Sequence, residues 1–355
     1  MPTRPESGAE SGISRRAAIA ASGVALTGGF AGCLDSNGNG NGTGNGNGNG
    51  TGNGNGDVPT ITLGHGIAAE EPLWLMEIIS DELDHWGEAY EAEFIPFSAN
   101  DERLQAFQAG ELQAGTAAAI TTIFATESGL PMTVVANVSQ SREETFTEEF
   151  LVTPDSDIDG LNAESLQDTR IGICAPRSSC DMWAQSAALQ AGLEVGSDVE
   201  VVVTPFPSMP EAVNGGEVDT AMFPQPFHHT GINETGLEPV FDVIDATGFE
   251  HDLMELWFST QFLENNGEVV ELFLDDYATA VEQFNDDPES SLEMIAEAGY
   301  VETPTELYVD LPYYTYSVSP MTESLEEINS LAVEIGWLDE EVSIDHLWDL
   351  SYLPD

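Results

Sequence analysis

The sequence contains no lysine. Its seven basic residues are all arginine, set against 64 Asp and Glu, for a formal net charge of −57. Without lysine, no Schiff base can form on a carbonyl cofactor, and no cofactor is expected. So acidic a chain is a poor partner for nucleic acid, whose binding is dominated by basic contacts to phosphate. Cysteine is limited to Cys33, Cys174 and Cys180, and no His or Cys partners sit at ligand spacing, so no metal site is expected. No nucleophile elbow, phosphate loop or zinc pattern is present, and no period of 20 to 50 residues repeats. These absences argue against an enzyme.

What is present begins at the N-terminus. Ser14-Arg15-Arg16 is followed by a small, apolar, uncharged run from Ala17 to Phe30, and then by Ala31-Gly32-Cys33. A positive region, a short apolar region and a small-residue cleavage site make up a secretory signal. The apolar run is too short to span a bilayer. The twin arginine points to the route that exports folded proteins. The Phe-Ala-Gly-Cys run resembles a lipoprotein box, which implies that Cys33 becomes the lipidated first residue. Residues 1–33 are therefore expected to be a twin-arginine lipoprotein signal, and residues 34–57, almost pure Asn-Gly, a disordered tether. About 24 such residues reach about 25–30 Å on average. That would hold a globular body just off the extracellular face of the membrane. Glycosylation patterns occur at Asn41, Asn49, Asn137 and Asn233.

Arg4, Arg15 and Arg16 precede Cys33, leaving Arg103, Arg142, Arg170 and Arg177 in the body. Such a charge strains a compact state at low salt. At about 1 M salt the Debye length falls to about 3 Å and the repulsion is screened. The chain is similar in this respect to haloarchaeal secreted proteins. Disorder is excluded for the body because 41% of residues are apolar and their pattern is regular after Asp57.

Strands alternate with helices from Thr60 onward. Strands are expected at 60–64, 92–96, 112–116, 132–138, 170–174, 199–204 and 218–223. Helices are expected at 72–83, 101–109, 118–127, 179–191 and 209–214. After His251 the pattern reads as mainly helical, at 267–284, 288–297, 322–335 and 344–348. Alternation of this kind argues for parallel sheets covered by helices on both faces. Two segments echo each other: Leu104 to Gly115 and Met209 to Ala221 are each a helix, a Gly stop and a short strand.

On these residues the chain resembles the solute-binding proteins of ABC importers, within the nitrate, sulfonate and taurine group and its thiamine-pyrimidine-precursor-like members. The carrying segments are Gln105 to Ala136, with Ser128-Gly129-Leu130-Pro131, Leu166 to Leu193, with Arg170-Ile171-Gly172-Ile173, and Ala212 to Phe227. Family members often carry Asp after the first Gly-strand turn and Glu-Pro in the last segment; here those places hold Gln113-Ala114-Gly115 and Gln225-Pro226. The resemblance implies an α/β, bilobal, periplasmic-binding-protein-like fold of type II, with two parallel-sheet lobes joined by two crossover strands. Lobe 1 would take residues 58–150 and 251–355, and lobe 2 residues 151–250. It also implies a monomer that binds a small molecule and serves a membrane permease. Within the same fold, pyridoxal-phosphate chemistry on a lysine is impossible here.

The ligand is expected between the lobes, against strand C-termini and helix N-termini. Arg177 leads the candidates. It lies in Cys174-Ala175-Pro176-Arg177-Ser178-Ser179-Cys180, between a strand and a helix, where free N–H groups attract anions and the guanidinium adds a bidentate fork. Ser178 and Ser179 add hydroxyl donors. His65 follows the first strand, Trp74 lies in the next helix, and Thr116 leads out of the third strand. Phe223, Gln225 and His228 follow the strand ending near Met222. Tyr313, Tyr314 and Tyr316 are either core or cleft wall. Cys174 and Cys180 are either a disulfide or two buried thiols. Arg177 with the serines favours an anionic solute such as a sulfonate, taurine or nitrate. Trp74 and the Phe-rich last segment fit a heterocycle such as a pyrimidine or flavin. A surface structural or adhesive lipoprotein would share the anchor, tether and acidity, but would not need two α/β lobes.

Overall fold

Ten short runs of the described residues pair into sheets: β1 (Thr60–His65), β2 (Glu91–Pro96), β3 (Ala114–Ala118), β4 (Met132–Ser141), β5 (Glu149–Val152), β6 (Arg170–Ile173), β7 (Glu200–Val203), β8 (Thr220–Phe223), β9 (Glu238–Asp242) and β10 (His251–Ser259). They belong to a computed structural model that describes residues 58–321 and 323–354. The expected export signal and tether, with Cys33, Asn41 and Asn49, lie outside the described residues. Two five-stranded sheets result, in the orders β2-β1-β3-β10-β4 and β7-β6-β8-β5-β9.

The two echoed segments supply the central strands. A helix over Asn100–Gln108, Gly110 at φ 78° and then β3 build the first. A helix over Met209–Asn214, Gly216 at φ 70° and then β8 build the second. Each central strand lies parallel to the strand on one side and antiparallel to the strand on the other. β3 reads Ala-Gly-Thr-Ala-Ala and is buried throughout. Its small residues admit large neighbours: a Cβ on Gly115 would come within 2.6 Å of the Trp257 ring.

The expectation of parallel sheets is corrected. Both sheets are mixed, because β10 runs antiparallel to β3 and β4, and β5 runs antiparallel to β8 and β9. These two strands enter straight from the other sheet. The chain leaves the first sheet at Ser141 and enters the second through β5. It leaves the second at Asp242 and returns through β10. Neither connection is a crossover between two strands of one sheet, so the right-handed crossover rule does not constrain it and each strand can pair antiparallel.

β10 is also the main element the sequence pattern hides. His251 to Phe258 is buried at every position, so it shows no period-two alternation. Residues 344–348 are not helical; Trp348 bridges to Val134 beside β4. The other helices fall near their expected places, with physical stops and starts. Ser178 caps Ser179–Gln190, Asp242 and Asp245 form a capping box for Val243–Thr247, and Gly299 ends Pro288–Ala298 at φ 86°. The long helix Thr260–Asp286 packs on β10, with Phe258 edge-on to Phe273 at 5.5 Å. Cys174 and Cys180 form a disulfide across the turn, with Cα atoms 6.0 Å apart. Asn137 is fully buried and donates to Asp252 Oδ1 at 3.0 Å, so it is closed to glycosylation; Asn233 is exposed. No helix among the described residues is long and apolar enough to cross a membrane.

Candidate functional site

The residues proposed from sequence fall into three groups. The first lies at the ends of β1 and β3. His65 closes β1, and the Trp74 indole N–H donates to its Nδ1 at 3.1 Å. Both side chains are buried, and burial holds the His65 imidazole below its usual pKa. Trp74 stacks on Tyr300, with centroids 5.6 Å apart and planes 17° apart. Thr116 is reached through Glu70: its hydroxyl donates to Glu70 Oε1 at 2.8 Å, and the Gly66 amide donates to Glu70 Oε2 at 2.9 Å. Arg103 completes this set. Its Nη1 lies 3.3 Å from Glu70 Oε1 and donates to the Thr116 carbonyl at 2.8 Å. Sequence placed Arg103 on a helix face; it is buried, and its charge is matched by a buried carboxylate.

The second group is the disulfide loop. Arg177 sits at φ 55°, a left-handed conformation rare for a side chain of its size. Its backbone N–H donates to Asp181 Oδ2 at 2.8 Å. The Asp181 carboxylate thus sits at the helix start where an anion would bind. The Ser178 hydroxyl donates to the Ala175 carbonyl at 2.6 Å and accepts from the Asp181 amide at 3.4 Å, so it works as a helix cap. Ser179 is buried in the first turn. The Arg177 guanidinium is exposed and reaches across to elements of the first sheet. Its central carbon lies 4.1 Å from the Phe124 ring centroid and 6.0 Å from that of Trp337, and Nη2 donates to the Trp337 carbonyl at 3.3 Å. Among the described residues Arg103, Arg142 and Arg170 each lie against a carboxylate; Arg177 lies against aromatic rings.

The third group follows β8. Phe223 is fully buried and belongs to the apolar core of the second sheet, with Leu151, Met209 and Val218. Gln225 is buried, and neither of its amide atoms has a hydrogen-bond partner. His228 Nε2 lies 2.7 Å from Glu149 Oε2, and its ring meets Phe146 edge-on at 5.2 Å. Phe146 in turn meets Tyr314 at 5.1 Å. Tyr314 is buried with its hydroxyl unpartnered, as is the Thr147 hydroxyl.

Around Tyr314 stand buried acids that the sequence reading did not single out. Glu148 is buried between the two sheets' connections, accepts from Ser141 Oγ at 3.0 Å, and is pushed by burial up to about 7. Glu71 accepts from Tyr308 at 3.2 Å and from Tyr316, and burial pushes its carboxyl upward as well. In a chain with 64 acids, Glu70, Glu71 and Glu148 carry no local mark that separates them from a solvated surface. The tyrosines, left open between core and cleft wall, separate: Tyr314 and Tyr316 are buried and Tyr313 is exposed.

Residues 71–294 match the profile of the NMT1-like family. No curated protein matches the sequence. Several solved structures share the fold. The ligand binding component of an ABC-type import system from Staphylococcus aureus, with zinc bound, gives a TM-score of 0.69 at 14% identity, covering 83% of this chain and 97% of that one. The periplasmic aliphatic sulphonate binding protein of Escherichia coli gives 0.67 at 18% identity, covering 83% and 99%. The periplasmic nitrate-binding protein of Synechocystis gives 0.64 at 13% identity, covering 82% and 84%. The fold is therefore that of the periplasmic binding proteins.

Proposed function

The chain belongs to the NMT1-like family, and from that premise we propose that it is an extracytoplasmic receptor that delivers a small solute to an ABC importer. The solute sits between a lobe of residues 58–150 with 251–355 and a lobe of residues 151–250. The observation that carries this is that two of the buried groups without partners among the described residues, the Gln225 amide and the Tyr314 hydroxyl, lie where the segment after β8 meets the tyrosine segment. Buried polar atoms without partners are costly and rare, and a polar solute held there satisfies them. The sulphonate- and nitrate-binding relatives in fold support the same role. Arg177, the arginine facing rings instead of a carboxylate, favours an anionic group. A second reading, a heterocycle bearing N–H donors, is favoured by Glu71 and Glu148 among their tyrosines, since these groups accept hydrogen bonds. Cys33 is the lipid anchor and residues 34–57 the tether.

A thermal-shift screen in molar salt tests both readings. Methanesulfonate, taurine and nitrate represent the first, and aminopyrimidines and flavins the second. A concentration-dependent rise in Tm for one class supports a receptor and selects its ligand. No shift with any of them overturns both readings of the solute. Release of the Cys33→Ser protein into the medium checks the anchor; retention on the membrane overturns it.

A further inference from the structure

We propose a buried site for a monovalent alkali cation at Glu255, where β10 lies between β3 and β4. The inference goes beyond the receptor reading, since it uses none of the residues assigned to the solute. Glu255 is fully buried, and neither of its carboxyl oxygens has a hydrogen-bond partner. Asn137 stands opposite it on β4, fully buried, with its amide oxygen unpartnered. Ser139 is fully buried too, and its hydroxyl is unpartnered. β4 carries an extra residue, Val138, between the pairs Asn137–Glu255 and Ser139–Met254. A bulge of this kind interrupts the ladder and re-aims side chains. On the other side Glu255 faces Ala117 of β3, whose small side chain leaves room beside the carboxyl.

The neighbouring carboxylate, Asp252, is already served. Its Oδ1 accepts from Asn137 Nδ2 and Gln140 Nε2, each at 3.0 Å, and its Oδ2 from the Met321 amide at 3.1 Å. The bond from Asn137 turns its amide nitrogen toward Asp252 and leaves its oxygen for another partner. Glu255 has no such donor, and among the described residues no arginine or histidine forms an ion pair with it. A carboxylate taken out of water demands a positive partner, either a proton or a cation. Burial raises the Glu255 pKa well above its ordinary value, which reflects that demand. A proton would join the carboxyl to a free oxygen by a hydrogen bond, and none is formed. Oxygens that share a cation have no proton between them and make no bond to one another. Oxygen donors suit hard cations. One unmet carboxylate calls for a single charge, whereas calcium takes six to eight oxygens. No group of three or more acids, His or Cys able to hold a metal occurs among the described residues. β4 leads toward the second sheet and β10 returns from it, so the ion pins together the two strands that join the sheets.

The experiment unfolds the full chain by heat in mixtures of sodium chloride and choline chloride at constant total molarity, so that screening is held fixed. Sodium is expected to raise Tm by about 5 °C along a saturating curve. Glu255→Gln, similar in shape and uncharged, should lose the saturating rise. Ser139→Ala should move its midpoint to about fivefold more sodium. A wild-type Tm that does not depend on which cation is present overturns the proposal. So does an equal rise in Glu255→Gln, which would place the sodium on exposed acids. If Glu255→Gln does not fold, Ser139→Ala decides, and an unmoved midpoint overturns the site. No solute is added, so none of these results bears on binding beside Gln225 and Tyr314, which the thermal-shift screen reads separately.

Discussion

The guanidinium carbon of Arg177 rests 4.1 Å from the centroid of the Phe124 ring. A cation carried by the loop after β6 therefore lies on an aromatic carried by the helix after β3, so this contact is one of those that tie the two sheets together. The disulfide between Cys174 and Cys180 brackets that loop and fixes where the arginine projects.

Arg177→Ala should weaken solute binding. A cation–π contact is worth about 0.5–2 kcal/mol, and a charge-assisted bond to an anionic solute would add about 1.5–3 kcal/mol. Phe124→Leu removes the first term and keeps the second. If Arg177 holds the solute directly, Arg177→Ala costs tenfold or more beyond Phe124→Leu for a sulfonate, and the gap closes for an uncharged heterocycle. Calorimetry of both variants with both solute classes reads this. Equal losses in the two variants for every solute would make Arg177 a tie between sheets only.

The pair of Arg103 and Glu70 gives a prediction about stability. Both side chains are buried, and the pair shares Thr116 and Gly66 as further partners. Removing one partner leaves an uncompensated buried charge, at a cost of about 3–5 kcal/mol. Arg103→Met should therefore destabilise strongly, and the double variant with Glu70→Gln should recover most of the loss. Denaturant unfolding of the three variants tests it. A double variant as unstable as the single one would show that the arginine acts through packing.

Arg170 offers a contrast, because sequence alone makes it a solvated strand end. Its guanidinium donates to Asp219 at 2.8 and 3.1 Å and to the carbonyls of Gly216 and Glu217 at 2.9 and 2.7 Å. It thus ties β6 to the turn before β8. The Arg170–Asp219 pair is more than a third exposed at its arginine, so solvent screening limits its worth to about 1 kcal/mol. Arg170→Ala should lower Tm by about 2–3 °C in a body of this size and leave solute affinity unchanged. An unchanged Tm would return Arg170 to the solvated role.

The legible part of this fold was the part with period. Helices with one apolar face and strands flanked by Gly stops announce themselves, and the echo of Leu104–Gly115 in Met209–Ala221 marks the two central strands. β10 was hidden because burial on both faces erases alternation. The site was less legible for a related reason. His65 and Trp74 could be paired from strand and helix positions, but Tyr300 comes from far along the chain, and Glu71 and Glu148 look like any other acids until the fold buries them. Phe223 shows the converse: a residue placed at a strand end beside the site turns its side chain into the core.

Glu148 makes the stability of the body depend on pH in a way that salt should not remove. Burial pushes its carboxyl from the ordinary value up to about 7. A carboxyl whose folded pKa is raised holds its proton more tightly in the folded state. Its contribution is fully present below the unfolded pKa of about 4.3 and is lost as pH rises through about 7. The exposed acids act in the same direction, since deprotonation adds repulsion, but molar salt screens them. Unfolding should therefore show a salt-sensitive part, with Tm falling steeply below about 1 M salt, and a part that persists in molar salt as a decline from about pH 5 to 7. Glu148→Gln removes the titrating group and keeps an acceptor for Ser141. In molar salt the variant should match wild type at about pH 4, gain on it steadily toward neutrality, and exceed it there by at most about 3 kcal/mol. Chemical denaturation of both proteins across that range measures the difference. A difference between them that does not change with pH would mean that Glu148 titrates at the same pH in the folded and unfolded protein.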